Sequence, residues 1–152
     1  MMGEKLKILF LCTGNSCRSQ MAEGWTRKLK ADTIDVFSAG VETHGLNPNA
    51  VKVMAEAGVD ISGHRSKLVN EFMDMELDAV ITVCDNAHET CPYFPPRCKV
   101  LHVGFDDPPK MAAALAEQGE SEEKQLDCYR KIRDQIKAFV EKMPENISNR
   151  VV

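Results

Sequence analysis

Short apolar runs alternate along this chain with stretches whose apolar residues recur at helical spacing. Short apolar runs bounded by polar or turn-forming residues predict buried strands, and here they cover Lys5–Leu11, Ile34–Ser38, Ala79–Val83 and Val100–Val103. Helical spacing predicts helices in the segments between them, over Ser19–Ala31, over Pro48–Ala57 and, more briefly, from Ser66 to Met73. Strands that alternate with helices indicate an α/β fold in which a four-stranded parallel sheet has helices on both faces.

The clearest amphipathic helix lies near the end of the chain, where apolar residues recur at helical spacing from Leu126 to Met143. The alanine-rich stretch before it, Met111–Glu120, is expected to be a mobile connection or an extra helical turn. Sites in parallel sheets lie at the carboxyl ends of the strands. Cys12, Cys84 and Asp107 each follow a predicted strand, so we expect the fold to bring them together.

The length of 152 residues fits a single domain, residues 1–152, that we expect to be monomeric. A net charge of −4 argues against nucleic acid as a partner. No apolar run approaches the roughly 20 residues that a membrane span needs. The first residues, Met-Met-Gly-Glu-Lys, lack the apolar core of a signal peptide. We therefore expect a cytoplasmic protein that binds neither nucleic acid nor membrane.

A polar loop, Cys12-Thr-Gly-Asn-Ser-Cys-Arg18-Ser19, connects the first strand to the first helix. Backbone N–H groups and the positive end of the helix dipole favour an oxyanion at such a place. We expect Cys12 to be a thiolate at neutral pH, because helix termini and guanidinium groups lower a thiol's pKa. Arg18 would contact the anion with two donors, and Ser19 would donate a hydrogen bond to the sulfur. The pattern of a nucleotide P-loop is absent.

Six cysteines are many for a cytosolic chain of this size. Structural disulfides are less expected in a reducing compartment. Zinc sites usually contain closely spaced cysteine pairs, whereas Cys84, Cys91 and Cys98 are each seven residues apart, with His88 as the nearby nitrogen ligand. Redox chemistry is therefore the better interpretation. The segment between Cys84 and Cys91 is polar and shows no strand or core pattern, so it can move at little cost in buried apolar area.

The loop closely resembles the signature of the low-molecular-weight protein tyrosine phosphatase superfamily. Further matches point to its thioredoxin-coupled arsenate reductase branch; they are Ser19-Gln-Met-Ala-Glu-Gly-Trp25, Ser38-Ala-Gly40, Glu42-Thr-His-Gly45, Asn47-Pro48, Asp60-Ile-Ser62 and Gly104-Phe-Asp-Asp-Pro108. The resemblance covers most of the chain. It implies a phosphatase-I-like fold, arsenate as the substrate, thioredoxin as the reductant and no cofactor.

The resemblance also implies roles for particular residues. Cys12 attacks arsenate, and Asp107, in an Asp-Pro pair, supplies a proton to the leaving oxygen. Cys84 then attacks the Cys12 sulfur, and Cys91 passes the disulfide outward for thioredoxin to reduce. The oxyanion-binding residues would be those of the loop, namely Thr13, Gly14, Asn15, Ser16, Cys17, Arg18 and Ser19. Without the resemblance, Asp106-Asp107-Pro108 could equally form a turn and the two cysteines could simply border a loop.

One position departs from the reductase pattern. The best-known reductases of this branch bind potassium beside the loop through an Asn, a Glu, a Ser and an Asp, and Asn15, Glu23 and Ser38 match the first three. The fourth position falls on Lys67, whose ammonium should repel a cation. We assign no metal site. Our hypothesis is that Lys67 places its own charge near Glu23 and Asn15, the alternative being a solvated lysine at a helix start.

Two other functions remain open from the sequence. A phosphatase acting on phosphotyrosine or aryl phosphates would also use Cys12, Arg18 and Asp107. Phosphatases of the superfamily carry a tyrosine at the position of Pro109 and a proline at that of Gln20, which argues against this reading. A non-catalytic oxyanion sensor lacks a basic element through which to act. Cys17 is expected to pack under the loop, Cys98 and Cys128 are expected to be structural, and the histidines are expected in loops or on the surface.

Overall fold

The computed structural model describes residues 5–148, without the side chains of Asp85, His88 and Ser148. Its four strands are β1 (Leu6–Cys12), β2 (Ile34–Gly40), β3 (Ala79–Thr82) and β4 (Lys99–His102). All neighbouring strands are parallel, and the sheet order is β2-β1-β3-β4. This confirms the predicted four-stranded parallel sheet, each strand within two residues of its expected bounds.

The central strand β1 shows why the sheet needs a cover on both faces. Ile8, Leu9, Phe10 and Leu11 are all fully buried although consecutive side chains point to opposite faces. Such continuous apolar runs are typical of parallel strands between two helical layers. The described helices are α1 (Arg18–Leu29), α2 (Pro48–Glu56), α3 (Asp85–Glu89), α4 (Pro108–Glu117), α5 (Glu122–Glu141) and α6 (Glu145–Ser148), with a 3-10 turn at Val69–Phe72.

Local sequence signals fix where two of these helices begin. The Asn47 side chain accepts hydrogen bonds from the backbone N–H groups of Asn49 and Ala50, and Pro48 occupies the first turn of α2. The Ser121 side chain caps α5 by accepting from the Lys124 N–H. The predicted apolar stripe of α5 is confirmed, because Ile132, Ile136 and Val140 are fully buried against the rest of the core.

Three local predictions are corrected by the structure. Of the two alternatives for Met111–Glu120, the helical one is right, but the helix is longer than an extra turn: α4 covers Pro108–Glu117 and packs on α5. Pro108 begins this helix, since a proline in the first helical turn costs no hydrogen bond. Ser66 caps no helix, because its hydroxyl donates instead to the Gly14 carbonyl, and only a 3-10 turn follows. The polar stretch after Cys84 is helical at α3, with Ala87 fully buried.

The parallel sheet places the carboxyl ends of β1, β3 and β4 along one edge. Cys12 is the last residue of β1, and Cys84 follows β3 by two positions. Asp107 follows β4 and lies directly before α4. The topology therefore gathers residues far apart in the sequence at this edge. No helix within residues 5–148 combines the length and the apolar character that crossing a membrane requires.

Candidate functional site

The loop from Cys12 to Cys17 turns its carbonyl groups away from its centre. Each of the six carbonyl oxygens accepts a hydrogen bond from a group outside the loop; the donors are the N–H groups of Val41, Glu42, His44, Asn47 and Met21 and the Gln20 side chain. The backbone N–H groups from Thr13 to Arg18 donate to no acceptor among residues 5–148. With carbonyls fixed outward, these N–H groups are available to an oxyanion.

Two residues let the backbone curl this tightly. Asn15 has a φ of 48°, in the left-handed region that asparagine tolerates better than most residues. Gly14 lies against His44, and a Cβ on Gly14 would meet the His44 Nδ1 at 2.3 Å. Gly40, at the end of β2, has a similar role, because a Cβ there would lie 2.3 Å from the Glu42 carbonyl oxygen. The lack of a side chain at Gly14 and Gly40 therefore lets the loop lie close to the end of β2 and to the segment that follows it.

A chain of hydrogen bonds supports the Cys12 sulfur from below. The Cys12 Sγ lies 2.8 Å from the Ser19 Oγ. The Asn15 side-chain amide donates to the Ser19 Oγ at 2.8 Å and to the Ser38 Oγ at 3.0 Å. Ser38 donates in turn to the Glu23 Oε1 at 2.5 Å. Asn15, Ser19 and Ser38 are fully buried, so the expected contact between Ser19 and the sulfur is present, while the Asn15 side chain supports the loop instead of facing its centre.

Arg18 and Asp107 meet at the rim of the loop. The Arg18 Nη1 donates to the Phe105 carbonyl at 2.8 Å, and its Nη2 lies 3.8 Å from the Asp107 Oδ2. The Arg18 side chain is mostly buried, whereas that of Asp107 is 42% exposed. The segment between β4 and α4 therefore fixes the guanidinium next to the loop, and it leaves the Asp107 carboxyl open to a bound ion and to water.

These residues surround a cleft of about 370 Å³, lined by Cys12, Thr13, Gly14, Ser16, Cys17, Arg18, His44, Asn47, Asp107 and Pro109. The lining contains no phenylalanine, tyrosine or tryptophan from the described part of the chain. Cys17 is 6% exposed, and burial, followed by the proximity of Cys12, raises the pKa of its thiol. Cys17 is therefore neutral and adds no charge to the cleft.

A second thiol lies beside the loop. The Cys84 Sγ is 3.2 Å from the Thr13 Oγ1, next in the chain to Cys12. Thr13 also accepts a hydrogen bond from the Asn86 side chain at 3.1 Å, so the start of α3 is attached to the loop. Cys91 lies beyond the other end of α3 and is partly exposed. Burial raises the pKa of the Cys91 thiol. All six cysteines are free, and Cys98 and Cys128 are buried.

The residues matched to a potassium site do not suit a metal ion here. The Lys67 Nζ lies 3.7 Å from the Glu23 Oε1 and donates to the Arg65 carbonyl at 2.8 Å. The Asn15 Oδ1 already accepts from the Lys67 N–H and from Gln20. An ammonium therefore lies against the carboxylate that would attract the cation. Among the side chains that the structure describes, which exclude those of Asp85 and His88, there is no group of three His, Cys, Asp or Glu arranged to hold a metal.

Sequence reasoning missed three residues around the loop. Gln20 contacts Asn15, Arg65 and His64 and so connects the loop to the segment after Gly63. His64 is largely buried, 3.8 Å from the Glu23 Oε2, and His44 lines the cleft. Both histidines lie in loops, as expected, and His44 is exposed, but their places at the cleft and beside Glu23 were not predicted. The Gly-His motif at Gly63-His64 carries no signal of burial by itself, and only the tertiary contact with Glu23 identifies it.

The comparisons with known proteins agree with this geometry. A family model described as low molecular weight phosphotyrosine protein phosphatase matches residues 7–152. The chain is 48% identical over 141 residues to an arsenate reductase of Bacillus licheniformis, covering 93% of this chain and 96% of the relative. It is 49% identical over 129 residues to an arsenate reductase of Bacillus subtilis, covering 85% and 88%. The chain belongs to the low-molecular-weight phosphotyrosine protein phosphatase family, as its resemblance predicted.

Solved structures show the same fold. A structure described as an arsenate reductase in the oxidized state superposes with a TM-score of 0.73 at 33% identity, covering 93% of this chain and 98% of the other. A low-molecular-weight protein tyrosine phosphatase from T. tengcongensis gives 0.69 at 26% identity, covering 93% and 99%. A thioredoxin-dependent arsenate reductase of Corynebacterium glutamicum gives 0.70 at 21% identity, covering 98% and 65%, a likeness of fold alone.

Proposed function

We propose that this protein is an arsenate reductase that works through a relay of three cysteines and is regenerated by thioredoxin. The observation that carries the proposal is the Cys84 thiol beside Thr13, next to the cleft that contains Cys12 and Arg18. Simple ester hydrolysis needs no second thiol there. Two relatives named arsenate reductase also match 93% and 85% of this chain.

The first step uses the loop as an oxyanion site. Arsenate binds to the free N–H groups of the loop and to Arg18. The Cys12 thiolate attacks the arsenic atom, and a sulfur–arsenic bond forms while an oxygen leaves as water. Asp107, open to the cleft at the rim, supplies a proton to that oxygen. The Ser19 hydroxyl, 2.8 Å from the sulfur, stabilises the thiolate before attack.

Two thiol exchanges complete the turnover. The Cys84 thiolate attacks the Cys12 sulfur; a disulfide forms, and the sulfur–arsenic bond breaks with its electron pair remaining on arsenic, which leaves as arsenite. The Cys91 thiolate then attacks the Cys84 sulfur and releases Cys12 as a thiolate. The product is a Cys84–Cys91 disulfide at a partly exposed position. Thioredoxin supplies two electrons as a dithiol and becomes a disulfide itself.

The proposal is tested by following arsenate turnover with thioredoxin, thioredoxin reductase and NADPH. We expect the native chain to consume NADPH continuously when arsenate is added. Cys91→Ser should release about one arsenite per chain and stop with a Cys12–Cys84 disulfide, because the outward exchange is lost. Cys128→Ser, at a buried cysteine on α5 that does not line the cleft, should turn over normally. Sustained turnover of Cys91→Ser with thioredoxin as the sole reductant would contradict the relay.

A phosphatase is the second candidate, because the cleft contains the groups such an enzyme needs, Cys12, Arg18 and Asp107, and the family includes one. Its lining lacks an aromatic wall for a phosphotyrosine ring, and Pro109 occupies the position where one is expected. Hydrolysis of an aryl phosphate distinguishes the two activities. Cys84→Ser should keep any such hydrolysis and lose arsenite release. Rapid aryl phosphate hydrolysis with no arsenite from the native chain would favour the phosphatase.

A further inference from the structure

Lys67 places an ammonium group in the polar cluster beneath the loop. Its side chain is only 13% exposed, and that of Glu23 is 6% exposed. The Lys67 Nζ lies 3.7 Å from the Glu23 Oε1, the same oxygen that accepts the hydrogen bond from Ser38. The Lys67 backbone N–H donates to the Asn15 Oδ1 at 2.8 Å. Lys67 therefore contacts both the charged end and the middle of the hydrogen-bond chain that leads to Cys12. It is not the solvated lysine of the alternative interpretation.

The hydrogen-bond partners fix the direction of each bond in this chain. The Asn15 Oδ1 faces the Lys67 N–H, which can only donate, so the amide NH₂ must face Ser19 and Ser38. Ser38 accepts from Asn15 and sends its own hydrogen to Glu23. Ser19 accepts from Asn15 as well. The hydrogen of Ser19 is then free to point at the Cys12 sulfur, 2.8 Å away. A sulfur that receives this hydrogen bond is favoured as a thiolate.

The direction of the whole chain depends on an ionised carboxylate at its far end. Burial alone would raise the pKa of Glu23, but the Ser38 hydrogen bond, the Lys67 charge, the Arg27 hydrogen bond and, only when it is protonated, His64 hold that pKa below its usual value. Arg27 is mostly exposed and contacts the other carboxylate oxygen. Burial lowers the pKa of His64, so His64 is neutral at physiological pH. Lys67 is thus the largely buried cation beside the Glu23 Oε1, the oxygen that accepts the hydrogen bond from Ser38.

We propose that Lys67 is a positioning residue for the Cys12 nucleophile. Its ammonium keeps Glu23 ionised, Glu23 fixes Ser38 and Asn15, and Asn15 directs the Ser19 hydrogen to the sulfur. Because this cation is covalently attached, the reactivity of Cys12 does not depend on an added alkali cation. The inference concerns the sulfur itself, so it holds whether the enzyme reduces arsenate or hydrolyses a phosphate ester.

The test measures alkylation of Cys12 by iodoacetamide between about pH 5 and pH 9, with the modified cysteine located by peptide fragmentation. In Lys67→Met we expect alkylation at pH 7 to slow about tenfold and the midpoint of the pH profile to rise by about one unit, because the sulfur loses its oriented donor. Lys131→Met, at an exposed lysine on α5, is the matched control and should react like the native chain. The native rate should be equal in potassium and sodium chloride.

Ser38→Ala breaks the link between Glu23 and Asn15 and leaves the Lys67–Glu23 pair in place, so it tests the chain even if Lys67→Met does not fold. We expect the same slowing, and the double variant should be no slower than either single variant, because both changes interrupt one path. Native pH profiles in Ser38→Ala or in folded Lys67→Met would overturn the inference. A native rate that rises severalfold in potassium over sodium would do so as well. None of these readings involves arsenate, so they are independent of the proposed function.

Discussion

At the scale of single residues, Asp107 differs from its neighbour Asp106 in one respect that matters for chemistry. Asp107 lines the cleft and lies 3.8 Å from Arg18, whereas Asp106 is exposed and lines no part of the cleft. The two residues are adjacent aspartates, so residue type alone does not distinguish them. Asp107 precedes Pro108 at the start of α4, and this position turns its carboxyl toward the cleft. A general acid must be within reach of the oxygen that it protonates.

Replacing Asp107 by Asn should therefore slow turnover strongly. The amide keeps the size of the side chain but has no proton to give, and general acid catalysis typically contributes at least about a hundredfold. We expect kcat for arsenate, and for any aryl phosphate, to fall about a hundredfold, as measured in steady state with excess reductant. Asp106→Asn is the control and should keep near-native turnover. Near-native turnover of Asp107→Asn would show that Asp107 is not the acid.

At the scale of elements, α3 must change if Cys84 and Cys91 are to form a disulfide. A helix rises about 1.5 Å per residue, so the five residues of α3 alone span about 7 Å, with further residues on either side. Disulfide-bonded cysteines usually have Cα atoms less than about 7 Å apart. The backbone hydrogen bond from Thr90 to Asn86 closes this helix, and the exchange that we propose requires it to open.

Oxidation should therefore expose the backbone of α3. We expect the amides of residues 86–90 to exchange hydrogen for deuterium faster in the oxidised native chain than in the reduced chain, as measured by mass spectrometry of proteolytic fragments. In Cys91→Ser, which cannot form the second disulfide, treatment with the same concentration of oxidant should leave the exchange of these amides as slow as in the reduced variant. Exchange that is unchanged by oxidation of the native chain would indicate that α3 is rigid, contrary to the relay.

The sequence predicted elements best where periodicity was strong. The strands and α5 follow directly from apolar patterns, and α2 from Asn47 and Pro48. The helix α4 was predicted only in part, because its alanines give little amphipathic contrast and left a mobile connection and a helical turn as equal alternatives. Ser66 was misread because a hydroxyl suited to a helix cap is used by the Gly14 carbonyl instead, a contact between segments 52 residues apart.

The site was predictable in part for a physical reason. Cys12, Arg18 and Ser19 lie in one local loop, so their spacing alone describes it. Gln20, His44 and His64 act through contacts with other segments, and no local pattern encodes these. The position of Lys67 near Glu23 was predicted only because Lys67 falls where the reductase pattern has an aspartate. The monomeric state of the chain stays a prediction.

At the scale of the whole molecule, Glu23 and His64 make stability depend on pH in the same direction. The pKa of Glu23 is held below about 4.5, so its stabilising contribution is complete above that pH and is lost as the pH falls through the folded-state value. Burial lowers the pKa of His64 below about 6.5. The folded state therefore resists a proton that the unfolded state accepts, and stability declines as the pH falls below 6.5.

We expect the free energy of unfolding in urea to decrease from about pH 7 to about pH 4 in the native chain. His64→Gln should flatten the upper part of this decline, and Glu23→Gln the lower part, although Glu23→Gln is less stable overall because Lys67 loses its partner. Exposed Glu145→Gln on α6 is the control and should follow the native curve. A Glu23→Gln curve as steep as the native curve would show that Glu23 contributes nothing to acid sensitivity.

Because the loop carbonyls point outward, the main-chain N–H groups are the main groups available to bind an anion in the cleft. Such groups sense a tetrahedral outline and negative charge, and phosphate offers both as well as arsenate does. Binding in the cleft therefore discriminates poorly between the two anions, and phosphate should compete with arsenate for the same site. In the relay that we propose, discrimination falls to the later thiol exchange, because a bound arsenic(V) centre can accept an electron pair and depart in a lower oxidation state, whereas phosphorus(V) does not.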